Sequence, residues 1–552
     1  MTRRRLPRRH LFAVFTAIVT GALLLRFVSL GWRVFHWDEA RVGYWTLRYL
    51  ETGIWEYRAI VHGPVLFHVN EILFGLFGAS DAVARSFVAL VGGLLPLTAW
   101  LFRSRLDDLE MAGLALVLAL EPALLYYGRF MRSDLLVAGF ALVTLGFAIR
   151  FLDERENVAL YLAVLSLGLA FGTKEIIVVY LGVWGGAMLL LLDHRLFVAR
   201  EVGESWKGRA KSTFHRVYSG VQSYRWPIVI GLFEFLLVIL LLYAPRPDLY
   251  QAFSDPTRLP GVFNAATIES AQELFDIWID GGHEHSYVAY LTDALQTTAY
   301  VSLPTFGFAI LGFLSDRYTG DQPRDLISFG FYWGVTIYLL YPAITDISAP
   351  WSIVHAIVPL SIPAAVGIKL VIDFAIEAWD GEDRVTFAIT AIVLMAVVAQ
   401  VGITAFQTSY QSPQADDNPL VQYGQPGGHM QATLEDIETI AAQNEGTDVL
   451  FYGDHFAVPD ESVADQPPAS SNWLNRLPIA WYLERANVTT ESANTPDEIS
   501  AETPVVITRV EHYSDVAAEL PDHEAQTYEI TSHGTETVIF VDRSQPDNQE
   551  RG

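Results

Sequence analysis

Long apolar stretches alternate with short polar segments over the first three quarters of the chain. A window of about 19 residues, the length that crosses a bilayer, predicts eleven membrane-spanning helices: 11–30, 83–103, 111–128, 134–152, 158–173, 175–192, 226–244, 297–314, 326–345, 352–372 and 385–407. A further apolar stretch, 65–79, is short and carries polar residues, so we interpret it as an interfacial or re-entrant helix. The pattern predicts an α-helical polytopic membrane protein of about eleven transmembrane helices.

The pattern changes after residue 407, where short elements typical of a small α/β domain begin. We predict helices at 434–443, 479–486 and 513–520 and strands at 448–452, 504–507, 526–531 and 536–542. The last two strands flank Ser532-His533-Gly534-Thr535 and predict a hairpin. The predicted organisation is a membrane domain over 1–407, a linker over 408–428 and an α/β domain over 429–552. The predicted role of the α/β domain is acceptor or partner recognition, or a lid.

Composition agrees with a membrane protein. Apolar residues make up 51% of the chain, and the mean hydropathy is +0.28, which excludes a cytosolic enzyme, a disordered chain and a nucleic-acid-binding protein. Cysteine is absent, so disulfides, thiolate metal sites and a cysteine nucleophile are excluded as well.

The acidic charge is strongly localised. The chain carries a net charge of −26, and residues 408–552 account for −21 of it. Such a surface is typical of adaptation to high salt, which screens the repulsion between carboxylates. An ordinary acidic extracytoplasmic domain is the alternative, and we favour the first interpretation.

Lysine and arginine positions predict the orientation in the membrane. With a cytoplasmic N-terminus, 19 basic residues fall in inner loops and nine in the outer loops of the membrane domain, as the positive-inside rule requires. Eleven spans then place the acidic tail outside the cell. The larger outer loops are 31–82 and 245–296.

The outer loops contain the candidate chemistry. Three cations, Arg129, Arg132 and Lys174, lie at or near membrane depth, where a charge requires a partner or a function. The dipeptide Asp38-Glu39 and Asp134 occupy the same predicted side. Carboxylates suit acid–base chemistry and cations suit a phosphate. The alternative for each acid is a structural role as a helix cap, and the residues leave both interpretations open.

Several short motifs resemble a known family. They are His36-Trp37-Asp38-Glu39-Ala40-Arg41, Val61-His62-Gly63-Pro64-Val65-Leu66, Tyr126-Tyr127-Gly128-Arg129-Phe130-Met131-Arg132-Ser133-Asp134, Gly172-Thr173-Lys174-Glu175 and Ala349-Pro350-Trp351. Their order and predicted side resemble the membrane glycosyltransferases with a GT-C fold, in the branch of protein O-mannosyltransferases and the bacterial lipid A aminoarabinose transferase. More narrowly, the chain resembles archaeal, largely haloarchaeal, flippase-activity-associated proteins of the N-glycosylation pathway. The resemblance covers about residues 10–410.

This resemblance implies an isoprenoid-phosphate-linked sugar donor, such as a dolichyl phosphate sugar, and a glycan or protein acceptor at the outer membrane face. The roles it implies are Asp38 as the general base, Glu39 as the acid that orients base or acceptor, Asp134 and His62 as acceptor or metal contacts, and Arg129, Arg132, Lys174 and His355 as cations for the donor phosphate. Related branches differ in their use of a divalent cation such as Mg²⁺ or Mn²⁺, so the metal requirement stays open.

The chain departs from the family pattern at two places. Gly63-Pro64 replaces a double proline, and Ala349 precedes Pro350-Trp351 where many relatives have Lys-Thr, so one expected cation is missing. The outer segment His283-Glu284-His285 lacks the spacing of a zinc hydrolase, and we interpret it as an ordinary acidic loop.

Two function classes remain. The first is a lipid-linked glycosyltransferase, and the second is a flippase, or a flippase-associated factor, for lipid-linked sugars. A transporter is expected to show repeated halves and polar groups at several depths. This sequence shows no internal repeat, and its ionisable groups gather at one face, which favours the enzyme.

Overall fold

The computed structural model describes residues 7–59, 62–201, 206–280, 285–319, 323–345, 347–464, 469–531 and 535–543. The chain divides into two compact units. The first, called here the helical unit, comprises Met1–Val28, Ala59–Val65 and Ser86–Ser412. The second, called here the mixed unit, comprises Ser29–Arg58, Leu66–Arg85 and Pro413–Gly552. The mixed unit thus includes most of the first predicted outer loop.

Helices account for nearly all regular structure before residue 412. They are α1 (Arg8–Phe27), α2 (Trp37–Thr52), α3 (Pro64–Phe77), α4 (Asp81–Leu94), α5 (Asp108–Leu120), α6 (Pro122–Tyr127), α7 (Asp134–Glu154), α8 (Asn157–Thr173), α9 (Ile177–Glu201), α10 (Trp206–Ser223), α11 (Arg225–Tyr243), α12 (Asp248–Ser254), α13 (Leu259–Asn264), α14 (Ser270–Asp280), α15 (Tyr287–Val301), α16 (Leu303–Tyr318), α17 (Asp325–Leu340), α18 (Ile353–Asp380) and α19 (Arg384–Phe406).

Seven helices among the described residues are long and apolar enough to cross a membrane, or eight if one bent pair is a single span. The other predicted spans coincide with shorter helices. Two of them match α8 and α9, whose apolar segments are short, and the predicted span 111–128 is divided between α5 and α6. Pro122 opens α6, where the missing amide hydrogen of proline interrupts the preceding helix. The fold is that of a polytopic helical membrane protein, and the number of spans stays a prediction.

The bent pair is α15 and α16, which meet at 96°. Its break lies at Ser302, and Pro304 stands in the first turn of α16, where proline is tolerated because no hydrogen-bond partner is required there. The predicted span 297–314 therefore contains a break that hydropathy does not show.

Close helix packing in the helical unit depends on small residues. A Cβ atom added to Gly312 of α16 would lie 2.0 Å from the carbonyl oxygen of Pro363, and one added to Gly367 of α18 would lie 2.1 Å from that of Phe308. Small residues let helix backbones approach each other in membrane proteins. Gly312 and Gly367 thus set the contact between α16 and α18.

The mixed unit contains a five-stranded sheet in the order β2-β1-β3-β5-β4. Its strands are β1 (Val449–Tyr452), β2 (Thr490–Ala493), β3 (Val505–Arg509), β4 (Glu524–Glu529) and β5 (Glu536–Val541). The first three strands are parallel, while β5 runs antiparallel to both β3 and β4. The helices of this part are α20 (Gln431–Ala441), α21 (Ser471–Leu474), α22 (Ile479–Arg485) and α23 (Tyr513–Glu519).

The C-terminal prediction of a small α/β domain is confirmed. One side of the sheet supplies Leu450, Val506 and Phe540 to a core that also contains Val516 of α23. The sequence did not predict β2, because its four residues, Thr-Glu-Ser-Ala, are mostly polar and follow no apolar alternation. The predicted turn of the last hairpin, residues 532–534, lies outside the described residues.

Within the mixed unit, the first outer segment packs on the C-terminal residues. The carboxylate of Asp81 accepts hydrogen bonds from Trp481 Nε1 (2.9 Å) and from the hydroxyl of Tyr482 (2.7 Å). The ring of Phe35 stacks on that of Trp481, with centroids 4.9 Å apart. Buried polar groups paired in this way specify one docking arrangement.

Candidate functional site

A buried cluster of charged side chains in the helical unit surrounds Asp134, the first residue of α7. Lys174 Nζ lies 2.7 Å from Oδ1 of this carboxylate, and Arg132 Nε lies 3.1 Å from Oδ2. His355 Nε2 is 3.2 Å from Oδ1. The structure therefore brings together four of the predicted site residues, which come from distant parts of the chain. We call them the Asp134 cluster.

Burial differs sharply within the Asp134 cluster. The side chains of Asp134, Arg132 and His355 are at most 1% exposed, whereas that of Lys174 is 18% exposed. A buried carboxylate is stabilised only when cations or hydrogen-bond donors surround it. Lys174 is therefore the member of the cluster that a ligand reaches most directly.

Aromatic residues hold Arg132 and His355 of this cluster in place. The guanidinium of Arg132 lies 4.0 Å from the ring centroid of Trp351, a cation–π distance. His355 Nδ1 is 2.5 Å from the hydroxyl of Tyr180, and its ring stacks on Tyr341 with centroids 4.9 Å apart. Trp351, which belongs to the motif Ala349-Pro350-Trp351, thus supports Arg132.

Local backbone structure explains where the charged groups lie. Asp134 stands in the first turn of α7, where the helix dipole favours a negative charge. Lys174 follows the last residue of α8 and has an extended backbone (φ −162°), which ends that helix. Gly63 lies against this end: its N–H donates to the carbonyl of Thr173 at 3.0 Å. A Cβ at position 63 would lie 2.6 Å from the carbonyl oxygen of Gly172, so the observed glycine fits where a larger residue would not.

His62 lies beside the cluster rather than in its ion pairs. Its Nδ1 is 2.9 Å from the hydroxyl oxygen of Ser133, the residue before Asp134. The prediction that His62 contacts acceptor or metal stays a prediction.

Arg129 lies at the C-terminal end of α1. Its guanidinium donates to the backbone carbonyls of Leu25 (2.9 Å), Arg26 (3.1 Å) and Val28 (2.7 Å) at the end of α1. It also lies 4.6 Å from the ring centroid of Tyr410. Carbonyls at a helix C-terminus lack helical partners and attract a cation. These contacts show Arg129 capping α1, and its role toward a donor phosphate stays a prediction.

The acidic pair belongs to the mixed unit and opens α2. His36 is the N-cap residue, and Glu39 completes a capping box by accepting from the His36 backbone N–H at 3.0 Å. Glu39 also binds Arg85 through two hydrogen bonds of 2.8 Å and Arg33 at 2.9 Å. Glu39 thus fits the alternative interpretation, in which an acid of the Asp38-Glu39 dipeptide has a structural role as a helix cap.

The electrostatics of Glu39 follow from these contacts. Burial by itself would raise the pKa of the carboxyl group, but Arg33 and Arg85 outweigh this effect and hold the pKa of Glu39 well below its usual range. Glu39 is therefore ionised at neutral pH and serves as the anion between two buried arginines.

Asp38 has a different environment. Its side chain is buried, and Oδ2 lies 3.7 Å from His36 Nδ1. The same ring nitrogen accepts the backbone N–H of Asp38 at 3.0 Å, so it carries no proton to donate to the carboxylate. Unlike Glu39, Asp38 does not share the ion pairs with Arg33 and Arg85.

The donor atoms around Asp134 do not suit a divalent cation. Both carboxylate oxygens already contact cationic groups, which would repel a metal ion. No group of three or more His, Asp or Glu side chains within the described residues has the arrangement of a metal site. In the outer loop, His285 Nε2 is 2.9 Å from the carbonyl oxygen of Thr345, while His283 and Glu284 lie outside the described residues. A requirement for Mg²⁺ or Mn²⁺ elsewhere in the protein stays a prediction.

Sequence reasoning missed several residues that support these groups. Arg85 binds Glu39 although it lies within a predicted apolar span, and a buried arginine in such a span is itself a signal of a specific partner. Tyr180 and Tyr341 support His355 but carry no distinguishing pattern in the sequence.

Comparison with known proteins identifies two regions of the chain. Residues 61–201 match the family of dolichyl-phosphate-mannose-protein mannosyltransferases. Residues 430–542 match the C-terminal domain of the Agl23 flippase-associated proteins. No curated protein matches the chain.

Solved structures define the fold. ArnT from Cupriavidus metallidurans in the apo state is similar with a TM-score of 0.56 at 16% identity, over 96% of this chain and 99% of that chain. The same protein bound to undecaprenyl phosphate gives a TM-score of 0.55 at 16% identity, with the same coverage. The archaeal oligosaccharyltransferase AglB from Archaeoglobus fulgidus reaches 0.49 at 12% identity, over 98% of this chain and 75% of that chain.

The chain is therefore a multi-pass membrane protein with the GT-C fold of membrane glycosyltransferases. Within that class, residues 61–201 are similar to the mannosyltransferase family and residues 430–542 are similar to the C-terminal domain of the Agl23 flippase-associated proteins. The resemblance to GT-C membrane glycosyltransferases and the resemblance to flippase-associated proteins are both confirmed.

Proposed function

We propose that the protein is a membrane glycosyltransferase that takes a sugar from an isoprenoid-phosphate-linked donor and transfers it to a glycan or protein acceptor at the outer membrane face. The observation that carries the proposal is the Asp134 cluster, in which Lys174, Arg132 and His355 converge on one carboxylate. Preorganised cations of this kind stabilise a phosphate on which negative charge develops.

The reaction proposed is a single displacement. The acceptor oxygen forms a bond to the anomeric carbon while the bond from that carbon to the phosphate oxygen breaks. The electron pair leaves with the lipid phosphate, and the acceptor proton passes to a general base. Phosphate needs charge stabilisation rather than protonation, because it is already a good leaving group. Lys174, the least buried member of the Asp134 cluster, is the main source of this charge stabilisation, and Arg132 adds to it.

Asp134 has a positioning role in this proposal. Its two oxygens hold Lys174 and Arg132, so the cations keep their places when no donor is bound. A lipid phosphate would compete with the carboxylate for Lys174 Nζ. His355, fixed by Tyr180, contributes a further contact to the same carboxylate.

Asp38 is the proposed general base, and this assignment rests on the resemblance of the motif His36-Trp37-Asp38-Glu39. Of the two acids, Asp38 is the better candidate because Glu39 is committed to Arg33 and Arg85. Glu39 then acts as a positioning residue that fixes the start of α2.

Known relatives support the donor class. The family matched by residues 61–201 is described by its use of dolichyl phosphate mannose, and ArnT, which shares the fold, has been solved with undecaprenyl phosphate bound. We carry over the shared chemistry, an isoprenoid phosphate, and leave the sugar and the acceptor undefined.

The test is transfer by the purified chain in proteoliposomes supplied with dolichyl phosphate sugars and membrane acceptors, followed by mass spectrometry of the products. Asp38→Asn should lower the rate of transfer about a hundredfold to ten-thousandfold, the range of a general base, while donor binding is retained. Glu51→Gln is the matched control, because Glu51 is an exposed acid on the same helix and should leave the rate unchanged. Near-normal turnover of the Asp38→Asn protein would contradict the assignment.

A flippase, or a flippase-associated factor, for lipid-linked sugars is the second candidate, and the Agl23 match over residues 430–542 favours it. Vesicles that contain only this protein and a fluorescent dolichyl phosphate sugar distinguish the two. We expect donor consumption when acceptor is supplied on the outer face, without translocation. Rapid translocation without consumption would make the flippase the primary function.

A further inference from the structure

A basic amphipathic helix lies outside the chemistry proposed above. Helix α10 spans Trp206–Ser223, and the next helix, α11, begins at Arg225. Between Glu204 and Glu234 the chain has no Asp or Glu but contains Lys207, Arg209, Lys211, Arg216 and Arg225. Such a stretch is exceptional in a protein with 62 acidic and 36 basic residues.

The apolar side chains of α10 are exposed. Phe214, Val217, Tyr218 and Val221 leave 73%, 61%, 54% and 53% of their surface accessible. They lie on one face of the helix, since residues three, four and seven positions apart share a face. The rings of Phe214 and Tyr218 stack with centroids 6.5 Å apart. An exposed apolar stripe of this kind requires a partner.

The opposite face is small and polar. Ser212, Ser219 and Ser223 are exposed there, together with Arg216. The exposed Lys211 lies beside the apolar stripe, and the exposed Lys207 lies on the same side as the stripe in the first turn of the helix. Lysine and arginine stems reach along an apolar surface and keep their charges in water. Helix α10 thus has the layout of an interfacial helix, with an apolar face, lysines at the edge and the N-terminal end of that face, and a polar back.

The position of α10 in the chain selects a membrane as the partner. Helix α11 follows after one residue and is a candidate span of which only 11% is buried within the protein. The preceding helix, α9, has an apolar part at Ile177–Leu192. Because α10 is tethered between these two apolar segments, it is confined to the surface of the bilayer.

We propose that α10 is a membrane-surface helix that inserts Phe214, Val217, Tyr218 and Val221 among the acyl chains and is attracted to anionic lipid headgroups by the charges of Lys207, Lys211 and Arg216. Charge complementarity selects anionic over zwitterionic headgroups, since basic residues near such a surface each favour association. The positive-inside prediction places this surface on the cytoplasmic side. The proposal does not depend on the chemistry at Asp134 or Asp38.

The experiment uses the full chain, which lacks cysteine, with one engineered cysteine carrying an environment-sensitive fluorophore. Phe214→Cys reports on the apolar face. Ser212→Cys is the matched control, because it lies two residues away and about 200° around the helix. Each protein is reconstituted into vesicles of brominated phosphatidylglycerol or brominated phosphatidylcholine, whose bromine atoms quench a fluorophore at acyl-chain depth.

We expect strong quenching at position 214 in phosphatidylglycerol and little at position 212. Quenching at 214 should weaken in phosphatidylcholine, and also in phosphatidylglycerol at high salt. Combining Phe214→Cys with Lys207→Gln, Lys211→Gln and Arg216→Gln should weaken surface association by about fivefold per removed charge.

Three outcomes would overturn the proposal. The first is an unquenched fluorophore at position 214, which would assign the exposed stripe to a protein partner. The second is equal quenching at 212 and 214, which would show that the helix does not lie with one face in the membrane. The third is quenching at 214 that depends on neither headgroup charge nor the three basic residues, which would exclude recognition of anionic lipid.

Discussion

At the scale of single residues, two acids that stand side by side have different surroundings. Glu39 is enclosed by Arg33 and Arg85, whereas Asp38 contacts the ring of His36. A third acid, Asp134, gathers Lys174, Arg132 and His355. The partners of Glu39 and Asp134 therefore show that these two acids organise buried cations.

Removal of Glu39 tests its structural role. Glu39→Gln leaves two buried arginines without their anion, and breaking a buried ion pair of this kind costs about 3–5 kcal/mol. We expect a lower free energy of unfolding at pH 7, measured as a lower thermal midpoint in detergent. Glu56→Gln is the control: Glu56 forms an exposed ion pair with Arg58, and such pairs contribute about 0–1 kcal/mol. Equal stability of the Glu39→Gln protein and the wild type would contradict the role.

The pH dependence of this contribution has a definite sign. Because the folded-state pKa of Glu39 is lowered from its ordinary value of 4.5, its stabilising contribution is fully present above that ordinary value. It is lost as the pH falls from there through the folded-state pKa. The stability difference between wild type and Glu39→Gln should thus be constant near neutral pH and shrink in acid, as thermal midpoints measured across a pH series would show.

Lys174 provides the test of donor binding. Lys174→Ala removes the exposed cation while Arg132 and His355 still hold Asp134. Hydrogen bonds to charged groups contribute about 1.5–3 kcal/mol, so affinity for a dolichyl phosphate sugar should fall about tenfold to a hundredfold. Lys369→Ala is the matched control, since Lys369 pairs with Asp373 and Asp107 instead. A donor-binding titration that gave equal affinities for the wild type and the Lys174→Ala protein would remove Lys174 from the site.

At the scale of elements, helix α2 depends on a segment far away in sequence. The backbone N–H of Trp37 donates to the carbonyl of Gly424 at 2.9 Å. Gln425 Oε1 accepts from Arg33 at 2.7 Å, and its Nε2 donates to the carbonyl of Val34 at 3.0 Å. The predicted linker over 408–428 thus includes residues that hold the start of α2.

Gly424 supplies a test of this contact. A Cβ at this position would lie 2.9 Å from His36 Nε2 and from the Cβ of Trp37. Gly424→Ala should displace the start of α2 and lower the rate of transfer, with donor affinity unchanged. Gly428→Ala is the control, because its added Cβ would meet only the end of the flexible Gln414 side chain at 3.0 Å. Equal rates of transfer by the Gly424→Ala and Gly428→Ala proteins at saturating donor would show that the segment around Gly424 does not position Asp38.

At the scale of the whole molecule, the prediction concerns sidedness. We expect the segment that carries Asp38 and the residues after 408 to face the outside, because the distribution of basic residues predicts a cytoplasmic N-terminus. Single cysteines at exposed positions, such as Glu51→Cys and Glu519→Cys, should both react with a membrane-impermeant maleimide on intact cells. Labelling of only one would refute the predicted arrangement. A cysteine at Ser212, on the predicted inner side, should stay unlabelled until the cells are opened.

Hydropathy determined much of the architecture. Each predicted span coincides with one or more helices, because a long apolar run satisfies its backbone only as a helix in a bilayer. Hydropathy did not reveal the break at Ser302 or the one before Pro122, since both interruptions leave the average apolarity unchanged. The acidic, shorter elements after residue 429 were recognisable as an α/β domain, except for the short helix α21 and the polar strand β2.

The sequence by itself determined the membrane class, the α/β tail and the types of residue available for chemistry, because these follow from local composition and periodicity. The tertiary structure decided which charges meet. It placed Lys174 and His355 on Asp134, Arg129 at the end of α1, and Arg85 on Glu39. Such pairings join residues separated by many positions in the chain, and an ion pair depends on distance in space, which no local pattern encodes.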